Sequence, residues 1–144
     1  MSSFKIMIIT YLAIFLVLLS VDLGIYVKAN ESVKRTLDKA IDSGIILATD
    51  INDYSNGGIK LEQGELYDGV RSIFRDNLKL DSNLSNTVYK DGKLEVRMEY
   101  RSDGAPRVVA KFTCNVVMVS GRFIGLESRP MSVTKITPYN SEYK

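Results

Sequence analysis

The sequence predicts an α+β chain with one long N-terminal helix, one short helix and a C-terminal antiparallel sheet. Three patterns carry that reading. An apolar run extends from Ile6 to Val27. A one-sided repeat follows, with Val33, Leu37, Ala40, Ile41, Gly44, Ile45 and Ala48 at three- and four-residue spacing. Strict alternation then appears from Val108 to Met118, where every second residue is apolar. The first two patterns have helical period and the third has the period of a half-buried strand.

The run IMIITYLAIFLVLLSVDLGIYV holds 22 residues. As a helix it is about 33 Å long, enough for the hydrocarbon core of a bilayer. A secretory signal cut after Val27-Lys28-Ala29 is the competing reading. The stretch Ile6 to Val21 is already longer than an ordinary signal core, so a retained transmembrane helix is expected, N-terminus inside. Charge asymmetry opposes that orientation, because Lys28, Lys34, Arg35 and Lys39 follow the run and only Lys5 precedes it. Long domains nonetheless translocate against such charges. Inside the run, Asp22 is an ionisable group in an expensive setting and calls for either an interface or a partner.

Beyond Val27 nothing stops a helix before NDYSNGG at residues 52–58. Gly24 costs only about 1 kcal/mol in a helix interior. A single rod from about Lys5 to Asp50 is therefore expected, roughly 69 Å long. Its first half would lie in lipid and its second half on a domain. The boundaries that follow are 1–27 for the hydrophobic helix and 28–144 for the α+β domain.

In EQGELYDGVRSIFRDNLKLD, Leu66, Val70, Ile73, Phe74 and Asn77 share a face and predict the short helix. Asp91-Gly92 lies between NTVYK and KLEVRMEY and reads as a two-residue hairpin turn. RSDGAP and Ser120-Gly121 mark further turns. RFIGLES and MSVTKIT supply one or two strands more, for about four in all. The inner face is expected to present Leu94, Val96, Met98, Val108, Ala110, Phe112, Cys114, Val116 and Met118, covered by Val33, Leu37, Ile41 and Ile45.

Composition narrows the chemistry. The chain has 144 residues, a net charge of +2, no histidine and one cysteine. Histidine-based catalysis and an intramolecular disulfide are thereby excluded. No basic block points to nucleic acid. No phosphate-binding glycine loop or calcium loop is evident, and no cofactor is expected. DINDY at residues 50–54 is acidic enough to hold a cation, with a solvated loop as the plainer reading. The expectation is a chain that is not an enzyme.

The apolar helix ending in Val21-Asp22-Leu23-Gly24, then Tyr26 and the amphipathic stretch through Leu37, Ala40 and Gly44, resembles TadE-like and TadG-like proteins of tight-adherence pilus systems. FRDNLKLDSNL is similar to the middle of shorter members of that group. The resemblance covers residues 6–50 and, more loosely, 70–86. It implies a pilin-like structural subunit whose N-terminal helices self-associate into the core of an extracellular filament. The alternative is a membrane-resident accessory of a pilus or secretion machine, working with other assembly components. A surface binding domain on a simple anchor is a third reading, from a different class. SSFKIMIIT carries neither the glycine or alanine nor the glutamate of a type IV prepilin site, so the resemblance does not extend to prepilin processing. Lys5, Asp22 and Gly24 are the expected assembly residues, with Asp22 meeting Lys5 or a free amino terminus of another copy.

Overall fold

A computed structural model describes residues 3–48, 63–102 and 106–137. The NDYSNGG breaker and the DINDY segment lie outside the described residues. Helix α1 (Ser3–Ala48) is one uninterrupted helix of 46 residues, about 69 Å long. Gly24 does not break it. Helix α2 spans Gln63–Leu78. Strands β1 (Tyr89–Tyr100), β2 (Pro106–Val117) and β3 (Ser128–Ile136) follow, forming one antiparallel sheet in the order β1-β2-β3.

The expected α+β class holds, with a long helix, a short helix and three antiparallel strands among the described residues where about four strands were expected. The difference arises in two places: β1 is one strand where two hairpin arms were expected around Asp91-Gly92, and the RFIGLES region after β2 adds none. Gly121–Ile124 of the RFIGLES region forms a 3-10 turn, closed by Gly125 at φ 76°. A Cβ on Gly121 would meet the Leu126 carbonyl oxygen at 1.7 Å, and the Leu126 amide donates to the Gly121 carbonyl at 2.7 Å. The chain is folded back on itself too tightly here to run as a strand.

Asp91-Gly92 also behaves differently from its expected role. It lies inside β1 as a bulge, where the register against β2 shifts between Lys90 and Lys93. Asp91 takes φ 53°, a conformation that aspartate tolerates better than most residues, and its carboxylate accepts from Asn115 Nδ2 at 3.0 Å. Gly92 is required by proximity, since a Cβ there would lie 2.0 Å from the Leu84 carbonyl oxygen. The dipeptide that marks hairpins also suits a bulge, because both need a residue at positive φ and little side-chain bulk.

The sheet carries both helices on one face, with α1 against β2 and β3 and α2 against β1. The covering layer is thus shared, where α1 alone was expected to supply it. Phe74 of α2 packs on Phe112 of β2 with ring centroids 4.7 Å apart, and Tyr89 meets Phe112 edge-on at 6.4 Å. Leu94, Val96, Val108, Ala110, Phe112, Cys114 and Val116 are buried as expected, while Met98 and Met118 are half-buried at the ends.

Helix α2 buries Leu66, Val70, Phe74 and Leu78. The seam runs at uniform four-residue steps, so Leu78 takes the place expected for Asn77. Asn77 is exposed and donates from its side chain to the Ile73 carbonyl at 2.8 Å. The two helices touch most closely at Gly44, where a Cβ would lie 2.5 Å from Val70 Cγ2. Small residues at that crossing let the backbones approach.

Candidate functional site at the end of the apolar helix

Helix α1 changes its surroundings along its length. Phe4, Ile6, Met7, Ile8, Ile9, Tyr11, Leu12 and most apolar residues onward to Leu23 are exposed, with Leu18 half-buried. The segment is long and apolar enough to cross a bilayer. From Asp22 onward one face is buried, successively through Asp22, Ala29, Val33, Leu37, Ala40, Ile41, Gly44 and Ala48. The half-buried Tyr26 lies on the same stripe. Full burial against the domain therefore begins at Asp22, inside the apolar run.

Asp22 is 5 % exposed. Its Oδ1 accepts from the Val119 amide at 2.8 Å, and its Oδ2 accepts from the Ser120 amide at 3.0 Å and from the Ser120 hydroxyl. Ser120 is itself 1 % exposed. A buried carboxylate is tolerated where donors replace its lost water, and here backbone and hydroxyl donors do so. The tight 121–126 loop holds those donors in place, and Gly121 permits the fold-back that aims them at the helix.

A ladder of contacts continues up the helix. Tyr26 donates through its hydroxyl to the Pro130 carbonyl at 3.2 Å, and the Arg129 guanidinium lies 4.8 Å from the Tyr26 ring centroid. The Tyr89 hydroxyl donates to the Ala29 carbonyl at 3.3 Å. Lys135 pairs with Asp38 at 2.8 Å. Residues 119–135 thus track α1 from Asp22 to Asp38, about 24 Å of helix.

Of the three residues singled out in the sequence, Asp22 meets donors of its own chain. Lys5 is exposed and lies 17 residues, about 25 Å, back along the helix. Gly24 is exposed, and a Cβ there would meet nothing within 4 Å. The fold does not bring the three together within one chain.

Ser120 and Tyr26 were not singled out as functional. The available signal was the stripe itself. Counting back from Val33 by four, three and four residues reaches Ala29, Tyr26 and Asp22. The loop donors left no such trace, because backbone amides carry no sequence signature.

Burial raises the Tyr89 hydroxyl above its ordinary pKa, and burial pushes the Cys114 thiol up to about 11. Cys114 is therefore a protonated core side chain near neutrality. Among the described residues no three acidic or cysteine side chains converge as a metal site. Comparison with protein-family models, characterised proteins and solved structures finds no match.

Proposed function

We propose that this chain is a pilin-like structural subunit, anchored in the cell membrane by the apolar half of α1 with its N-terminus inside. Upon assembly, that half packs against its counterparts in the core of an extracellular filament. The observation that carries the reading is the division of one continuous helix into two environments. Residues 4–23 expose apolar side chains that require lipid or other helices around them, and residues 29–48 are built into the domain.

Retention of the apolar half is supported by its ties to the domain. Cleavage after Ala29 would remove Asp22 from the Val119 and Ser120 amides and Tyr26 from Pro130. It would also cut at a residue only 4 % exposed. A disposable leader has no need of such contacts. The bare surface at Gly24 supports close approach of a second helix, as small residues do between helices in membranes.

The resemblance to TadE-like and TadG-like proteins rests on residues 6–50 and, more loosely, 70–86, and a long helix with an apolar and an amphipathic half followed by a C-terminal sheet accords with the general pilin-like plan. The proposed role is structural and assigns no catalytic step to the chain. A Lys5–Asp22 pair between copies is not required to offset the burial of Asp22. Its same-chain donors favour a second reading, a membrane-resident TadE-like accessory of a pilus or secretion machine, in which the domain stays seated on its anchor.

Shear fractions from the native cell separate the two. The chain should appear in sheared fibres visible by electron microscopy and labelled by an antibody to the domain. Recovery solely in the membrane fraction, with unlabelled fibres or none, would overturn the subunit reading in favour of the accessory.

A further inference from the structure

We infer that the 119–126 loop is a lipid-contacting foot: in the anchored state Phe123, Ile124 and Leu126 enter the edge of the bilayer beside α1. The inference rests on the membrane-anchored state proposed above and adds a second point of contact, made by the domain itself.

The level of the loop follows from its partners. Asp22 lies 16 residues past Ile6, about 24 Å along a helix whose hydrocarbon span is about 30 Å. The Val119 and Ser120 amides bind Asp22, so the loop backbone sits at that depth. Higher up, Pro130 meets Tyr26 and Lys135 meets Asp38. The connection between β2 and β3 is therefore the end of the sheet that reaches toward the apolar half of α1.

The loop's chemistry suits that level. Outside α1, seven large apolar side chains are exposed among the described residues, and Val119, Phe123, Ile124 and Leu126 are four of them. Phe123 is 78 % exposed and Leu126 62 %. On the outer side of β1, by contrast, stand Lys93, Glu95 and Arg97, all exposed. The exposed apolar surface is concentrated where the domain comes down to the span.

The backbone is prepared for a low-dielectric setting as well. The Met118 amide donates to Glu127, Phe123 to Ser120 and Leu126 to Gly121, and the amides of Val119 and Ser120 donate to Asp22. Backbone polar groups close to hydrocarbon need partners within the protein, and these five amides have them. Arg122 and Arg129 are exposed beside the apolar residues, within the same stretch of chain. Long basic side chains at this level reach headgroup phosphates while their stems stay in apolar surroundings. Tyr26, under Arg129, occupies the interfacial position where tyrosine is favoured. Asp22 thus takes on a definite role: it clamps the foot to the anchor, and the foot shields the carboxylate from lipid.

The chain contains no tryptophan, so a single introduced one reports its own surroundings. The full chain carrying Phe123→Trp is reconstituted into phosphatidylcholine vesicles with brominated or ordinary acyl chains. Ile124→Trp serves as a second loop reporter, Leu12→Trp reports the anchor, and Thr134→Trp reports the strand beside Lys135. The expected result is blue-shifted emission at positions 123 and 124, most of it lost in brominated lipid, with the same at position 12 and no loss at 134. Water-like emission without quenching at both 123 and 124, alongside quenching at 12, would overturn the foot and leave the anchor standing. Absence of quenching at 12 as well would overturn the anchored state and the foot with it.

Discussion

Replacing Asp22 with alanine tests the tie between anchor and domain. The substitution removes both acceptor oxygens, leaving the Val119 and Ser120 amides and the Ser120 hydroxyl without them. The hydroxyl can rotate to another acceptor, but the amides are fixed by the loop. A buried donor left unpaired costs about 1–3 kcal/mol, so two amides cost about 2–6 kcal/mol. Water entering the vacated space recovers part of this, leaving an expected loss of about 2–4 kcal/mol in loop docking.

At about 1.4 kcal/mol per tenfold, the opening equilibrium at residues 119 and 120 should rise roughly 30- to 700-fold. Amide hydrogen exchange on the full chain in detergent micelles measures this residue by residue. Amides in the middle of β2, such as Phe112 and Cys114, should change far less. Asp22→Asn keeps one oxygen but turns an NH₂ group toward the donors, so it should fall between wild type and alanine. Unchanged protection at Val119 and Ser120 in Asp22→Ala would refute the reasoning, because the two amides would then have other acceptors in solution.

Phe112 is fully buried between Phe74 and Tyr89, so Phe112→Ala should cost about 3–5 kcal/mol in equilibrium denaturation of the full chain. Near-native melting of that variant would contradict the packing of α2 on the sheet. Gly44→Ala puts a Cβ 2.5 Å from Val70 Cγ2 and 3.2 Å from the Val70 amide nitrogen, so it should lower stability by about 1–3 kcal/mol. Gly24→Ala meets nothing and should not destabilise the isolated chain; equal effects at the two glycines in thermal melts would sink the close-crossing argument.

Much of this architecture is legible in residue order because it depends on local periodicity. The continuity of α1 follows from the absence of any strong helix breaker between Lys5 and Ala48, together with the small cost of two glycines, Gly24 and Gly44. The inner face of β2 follows from alternation, since successive strand side chains point to opposite sides. Cys114 was placed in the core by the same alternation, and it lies there.

What the tertiary structure decided are matters of proximity between distant segments. Asp91-Gly92 has the chemistry of a turn, yet it becomes a bulge because Leu84 presses against Gly92 from a loop the dipeptide cannot announce. RFIGLES has apolar residues that could serve a strand, yet the fold-back at Gly121 makes them a turn with exposed apolar side chains. Asp22 shows the division most clearly. That a carboxylate in an apolar run needs donors follows from desolvation alone. That the donors are the amides of residues 119 and 120, 97 and 98 positions away, follows only from the sheet bringing its β2–β3 connection down onto α1. Backbone amides are the same in every residue but proline, so only the fold selects which of them a buried charge will meet.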